Sequence, residues 1–120
     1  MADGKPVEDC LFCTIIAGEI PSTVVRETED TFAFKDLFPQ APTHDLVVPR
    51  AHYADAAELA AEAPALAAAL LAEAGEVAKA EGLTEDGYRI VFNTGSHAGQ
   101  TVFHVHAHVL GGDYLSTFGN

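Results

Sequence analysis

The sequence predicts an α+β domain: a five-stranded antiparallel meander sheet with a short N-terminal helix and one long helix. Three observations predict it. Five short segments rich in Val, Ile, Phe, Tyr and Thr are bounded by Gly, Pro or acidic turns, as strands are. Residues 55–81 are Ala-rich with scattered Glu and high in helix propensity throughout. The order reads helix, three strands, helix, two strands; strands joined by short turns pair antiparallel, so helices gathered on one face are the economical arrangement.

Residues 1–9 read as a flexible leader. Across Cys10–Gly18 the apolar residues Leu11, Phe12, Ile15 and Ile16 fall at helical spacing, and Gly18 supplies a stop. Thr23–Glu29 and Thr31–Asp36 form a hairpin around the acidic turn Glu29-Asp30. A loop with two prolines, Phe38-Pro-Gln-Ala-Pro-Thr, leads to a third strand at His44–Pro49, closed by Pro49. Pro64 divides the Ala-rich run, because proline suits the first turn of a helix and not its interior. A short helix near 55–61, anchored by Leu59, is therefore followed by a main helix, Ala63–Ala80, that buries Leu66, Leu70 and Val77 and stops at Gly82. Alanine at so many packing positions implies close approach to a sheet. Tyr88–Asn93 is the fourth strand, Thr94–Gln100 a Gly-rich loop and Thr101–Leu110 the fifth strand, followed by a tail at 113–120.

The 120 residues make one domain, with a core large enough to need no staples. Six basic against 18 acidic residues give a net charge of −12, which repels nucleic-acid backbone and anionic membranes. A small phosphorylated ligand stays open, because backbone N–H groups and imidazoles hold phosphate locally. With neither an apolar run of spanning length nor a secretory leader, the expected location is cytoplasmic. The two cysteines, Cys10 and Cys13, are too close in sequence to staple the domain. In a reducing compartment they are a redox pair, half of a zinc site, or neither.

Three histidines alternate in TVFHVHAHVLGG: His104, His106 and His108. Strand periodicity puts them on one face, successive imidazoles roughly 6–7 Å apart. Such a row could be incidental on a surface strand, could chelate a metal, or could act on phosphorus, with one neutral imidazole attacking and its neighbours orienting it and stabilising charge. The only carboxylate near the strand is Asp113, which weakens a catalytic metal site.

HVHAHVL, with CLFCTIIAGEIPS, FAFKDLFPQAPTHDLVVPRAH and GYRIVFNTGSHAGQTVFHVHAHVLGG, resembles the histidine triad (HIT) superfamily, in its Hint branch of nucleoside phosphoramidases. The resemblance runs from Cys10 to Gly112, making 10–112 the HIT domain. It implies a HIT-like fold whose sheet continues across a homodimer, with the main helix near the interface. The implied activity is hydrolysis of purine nucleoside 5′-phosphoramidates of the AMP-amine type, through a nucleotidyl-histidine intermediate and without a catalytic metal. Its alternatives are dinucleoside polyphosphate hydrolysis or nucleotidyl transfer by the same intermediate, and a non-catalytic nucleotide-binding regulatory module.

The resemblance also distributes roles. His106 would attack the α-phosphorus, His108 would bind phosphate oxygens and assist the leaving group, and His104 would hold the site through hydrogen bonds. His44 would support the nucleophile from the neighbouring strand. Asp36 would accept both ribose hydroxyls, and Phe12, Ile15, Phe34 and Leu37 would wall the base. Asn93, Gly99, Gln100 and Thr101 match phosphate-side contacts; Thr101 stands where the family commonly has Ser and keeps the hydroxyl on a stiffer side chain. His97, with no matching role, is expected to be exposed. Some bacterial relatives place a structural zinc on a set that corresponds to Cys10, Cys13, His52 and His104. The tail departs from the pattern: Asp113 replaces an Arg and no Trp is present, with Phe118 a weak substitute for it.

Overall fold

The computed structural model describes residues 3–118; positions 1–2 of the leader and 119–120 of the tail lie outside the described residues. Its elements are α1 (Leu11–Ile16), β1 (Val24–Glu27), β2 (Thr31–Lys35), β3 (Thr43–Pro49), α2 (Ala56–Glu62), α3 (Pro64–Ala80), β4 (Tyr88–Val91), a 3-10 turn at Ser96–Ala98 and β5 (Ala107–Gly111). Pro64 does sit in the first turn of α3, and Asp55 caps α2 by accepting a hydrogen bond from the Glu58 N–H. The leader is in contact with the domain at Gly4, which pairs with His52 as an isolated bridge.

All five strands pair antiparallel, in the order β1-β2-β3-β5-β4. The meander holds for the first three strands and then departs from sequence order. The α2–α3 connection carries the chain past one strand position, and β5 returns to fill the gap between β3 and β4. The helices are not all on one face. Ala33, Val47, Ala107 and Val109 pack with Leu70, Ala74, Val77 and Ala78 of α3, while Phe32, Phe34, Leu46 and Val48 pack with Phe12, Cys13 and Ile15 of α1. The central strands β2 and β3 thus alternate between two apolar layers, because both their faces are covered. Ala74 and Ala78 are fully buried, as the close approach of α3 requires. Glu73, buried on the same helix, is held by Arg26 of β1 at 2.6 Å.

The histidine strand is shorter than Thr101–Leu110: only Ala107–Gly111 forms a ladder. β3 ends at Pro49, which has no N–H to continue the pairing. The Pro49 carbonyl is taken instead by the His104 ring at 2.8 Å, and the Val105 N–H goes to the Tyr53 carbonyl at 2.7 Å. Among the described residues, no helix is long and apolar enough to cross a membrane.

Candidate active site

The three histidines reach three environments. His104 is fully buried. Its Nε2–H donates to the Pro49 carbonyl, which leaves Nδ1 bare and pointing at Cys10 Sγ (3.3 Å), Cys13 Sγ (3.5 Å) and His52 Nδ1 (3.1 Å). His106 uses Nδ1–H to donate to the His104 carbonyl at 2.8 Å, so its free lone pair is on Nε2. His108 lies beside it, ring centroids 5.0 Å apart.

The tautomer of His108 follows from a chain of donors. The Gln40 N–H donates to His44 Nδ1 at 3.0 Å, so neutral His44 carries its proton on Nε2. That proton goes to His108 Nδ1 at 2.8 Å, leaving His108 with Nε2–H as a free donor. His44 therefore supports His108, and not His106 as the resemblance implies. Asp36 Oδ2 lies 3.4 Å from the same His44 nitrogen, and its Oδ1 accepts from the Phe38 N–H at 2.8 Å.

Burial favours neutral imidazoles throughout. It lowers His106 against the opposing pull of the His104 carbonyl and Asp36, and lowers His44 against Asp36. It takes His108 down to about 4, helped by the neighbouring His106 and His44. At neutral pH the arrangement is a nucleophilic nitrogen on His106 next to a proton-bearing nitrogen on His108. That pair can attack an electrophile and stabilise the negative charge that develops there.

Around this pair, Phe12, Ile15 and Phe34 are buried, and the Phe12 ring stands edge-on to His106 at 5.0 Å. Leu37 is 82 % exposed, a free rim and not a packed wall. Asn93 is half-buried. Gly99 takes the left-handed conformation, φ 88°, that closes the Gly-rich loop. Gln100 is committed within the protein: its side chain accepts from the Gly95 N–H and donates to the Ala54 and Val102 carbonyls. Its role is to shape the loop. Thr101 is exposed, and among the described residues its hydroxyl has no protein partner; His97 is exposed as expected. What sequence reasoning missed is the Gln40 N–H that sets the proton chain. The signal for it was the pair of prolines, Pro39 and Pro42, that stiffen its loop.

Cys10, Cys13, His52 and His104 offer two sulfurs and two nitrogens, all within 4.8 Å of one another. With Zn–S of about 2.3 Å and Zn–N of about 2.0–2.1 Å, a tetrahedral ion has N–N edges of about 3.3 Å and S–N edges of about 3.6 Å. The observed 3.1 Å between the two Nδ1 atoms and 3.3–3.5 Å between sulfur and nitrogen fit that cage. Two N–H groups, of Val7 and Cys13, point at Cys13 Sγ and Cys10 Sγ, as they would at thiolates. A cavity of about 540 Å³ beside Tyr88, Arg89 and Asp113 contains none of the histidines. A smaller one of about 360 Å³ runs from Thr101 to Cys10 and His52.

Fold and site together define an α+β protein with a closely set pair of imidazoles and an S₂N₂ cluster. The model for the HIT domain matches residues 17–115. Among curated relatives, the purine nucleoside phosphoramidase of Escherichia coli K12 is 41 % identical over 105 residues, 88 % of each chain. The 14 kDa zinc-binding protein of Zea mays is 49 % identical, over 88 % of this chain and 84 % of that one. Among solved structures, a HIT family hydrolase from Legionella pneumophila superposes with a TM-score of 0.86 at 48 % identity, covering 90 % of this chain and 96 % of that one. The chain belongs to the HIT family.

Proposed function

We propose that this protein hydrolyses purine nucleoside 5′-phosphoramidates through a nucleotidyl-His106 intermediate. The observation that carries the reading is the opposed proton arrangement of His106 and His108: one Nε2 is a bare lone pair, its neighbour a free donor. The E. coli relative, named a purine nucleoside phosphoramidase, supports the same substrate class.

In this mechanism His106 Nε2 attacks the α-phosphorus and the P–N bond to the amine breaks. His108 Nε2–H and the Thr101 hydroxyl donate to the oxygens as charge builds. Asp36 orients the ribose, and Phe12, Ile15, Phe34 and Leu37 meet the base. Water then attacks phosphorus and returns the bonding pair to His106. The leaving amine takes the His108 Nε2 proton as the P–N bond breaks, and the attacking water returns a proton to His108 as its hydroxyl joins phosphorus, so one water is consumed overall.

Cys10, Cys13, His52 and His104 would hold a structural zinc that pins α1 to the sheet; the donor set and the zinc-binding relative support this. Homodimer formation is supported by β4 lying at the edge of the sheet among the described residues. There Tyr88 lies 3.8 Å from the position a Cβ on Gly75 of α3 would take, and exposed Leu71 sits one helical turn away. A cytoplasmic location completes the reading.

The test is turnover of adenosine 5′-phosphoramidate by the purified protein against His106→Asn. Loss of the nucleophile is expected to lower kcat/KM about 10⁴-fold or more. A wild type no faster than the variant sinks the reading. Faster turnover of a diadenosine polyphosphate, or AMP binding without turnover of either compound, replaces it with one of the alternatives.

A further inference from the structure

We propose that the Cys10/Cys13/His52/His104 cluster is a thiol-sensitive control point for the nucleophile, acting through the main chain of His104. The inference rests on His106 being the nucleophile and adds its regulation.

Two mechanical links join the cluster to His106. The first is His104 itself. Its ring meets both sulfurs and His52, while its own carbonyl holds His106 Nδ1–H at 2.8 Å. The second is Phe12, which lies between Cys10 and Cys13 in one helical turn. Its ring stands edge-on to His104 at 6.0 Å and to His106 at 5.0 Å. The stretch that carries both histidines has no strand ladder, since β5 begins at Ala107. Its position depends on these side-chain attachments, the Val105–Tyr53 bond and the Gln100 staple. Besides these, the His104 Nε2–H bond to the Pro49 carbonyl is the restraint a change at the sulfurs meets before it reaches the His104 carbonyl.

The relevant change is oxidation. The sulfurs are within 4.8 Å of each other. A hydroperoxide would join them: the two thiols give up two protons and two electrons to form one S–S bond, and hydrogen peroxide is reduced to two waters. Drawing the sulfurs together to about 2.05 Å takes them off both imidazoles and abolishes the thiolate donors a metal needs. His104 is then held at one end only, by its Nε2–H on the Pro49 carbonyl, and as the ring pivots on that bond the His104 carbonyl shifts away from His106 Nδ1–H.

The experiment follows the histidine ring nitrogens by long-range ¹⁵N–¹H NMR in zinc-loaded protein, before and after hydrogen peroxide, with mass spectrometry to score the disulfide. Oxidation is expected to release zinc and replace the single-tautomer pattern of His106 with an averaged one. It should also lower kcat at least fivefold with KM within twofold, and dithiothreitol with Zn²⁺ should restore all three. Cys10→Ser/Cys13→Ser is expected to show no response to peroxide. If that variant does not fold, the oxidation–reduction cycle of the wild type decides alone. A disulfide that forms with the His106 ring pattern unchanged, or peroxide treatment that leaves both thiols free, overturns the proposal. Because the ring signals need no turnover, failure of the phosphoramidate assay leaves this result readable.

Discussion

Asp45 is a buried carboxylate whose removal is expected to stabilise the protein. It lies on β3, fully buried on the α3 side of the sheet, and neither oxygen accepts a hydrogen bond. The nearest cation, Lys35 Nζ, is 3.8 Å away, half-exposed and shared with Glu81 at 3.2 Å. Burial, reinforced by the like charge of Glu81 and opposed by Lys35, raises the Asp45 pKa from 3.8 to about 6. The folded state thus binds this proton more tightly than the unfolded chain does. Its stabilising contribution is complete below about pH 3.8 and is lost as pH rises through about 6. The gap is worth about 3 kcal/mol above that range, at about 1.4 kcal/mol per pH decade. Asp45→Asn removes the charge but leaves a polar group with incomplete partners, which costs back about 1–2 kcal/mol. A net gain of about 1–2 kcal/mol at pH 7.5 follows, a rise in Tm of roughly 4–8 °C for a domain of this size. Thermal unfolding of both proteins by circular dichroism from pH 4.5 to 8 measures it. The advantage of the variant should shrink steadily toward pH 4.5. A variant less stable than wild type at pH 8, or a difference that ignores pH, refutes the reasoning.

Other outcomes follow from the same geometry. With His108 held neutral down to about pH 4, loss of its neutral form should not reduce kcat/KM until pH falls below about 5. An acid limb attributable to His108 near 6.5, absent from a His108→Gln variant, would contradict that assignment. Leu70, fully buried between α3 and the sheet, should cost about 3–4 kcal/mol on truncation to Ala, read as a lower urea midpoint with unchanged m-value.

Local signals made the elements legible. Pro64 at the start of α3, the alternation in THDLVVP and the Ala-rich run each depend on neighbours within a few residues. The proximity of His104, His106 and His108 was legible too, because they lie in one short segment. The strand order was not, since nothing local says that β5 will slot between β3 and β4. Nor was the partner of His44, which is chosen by the cross-strand neighbourhood of His44 with Leu110 and of Leu46 with His108, 64 residues apart for the bonded pair.

By itself, the sequence determined which segments coil or extend, that three imidazoles lie close together, and that two thiols stand one helical turn apart. Periodicity and turn chemistry act over a few residues, so a single chain displays them directly. Only the tertiary structure decided that the three histidines part company. Pro49 ends the ladder, and the free carbonyl it leaves draws in the ring of His104. The same ring meets Cys10, 94 residues away in sequence. His106 and His108 stay together, half-buried, with their protons on opposite nitrogens. Those choices are made by burial and by which backbone donors and acceptors remain unpaired once the sheet has closed.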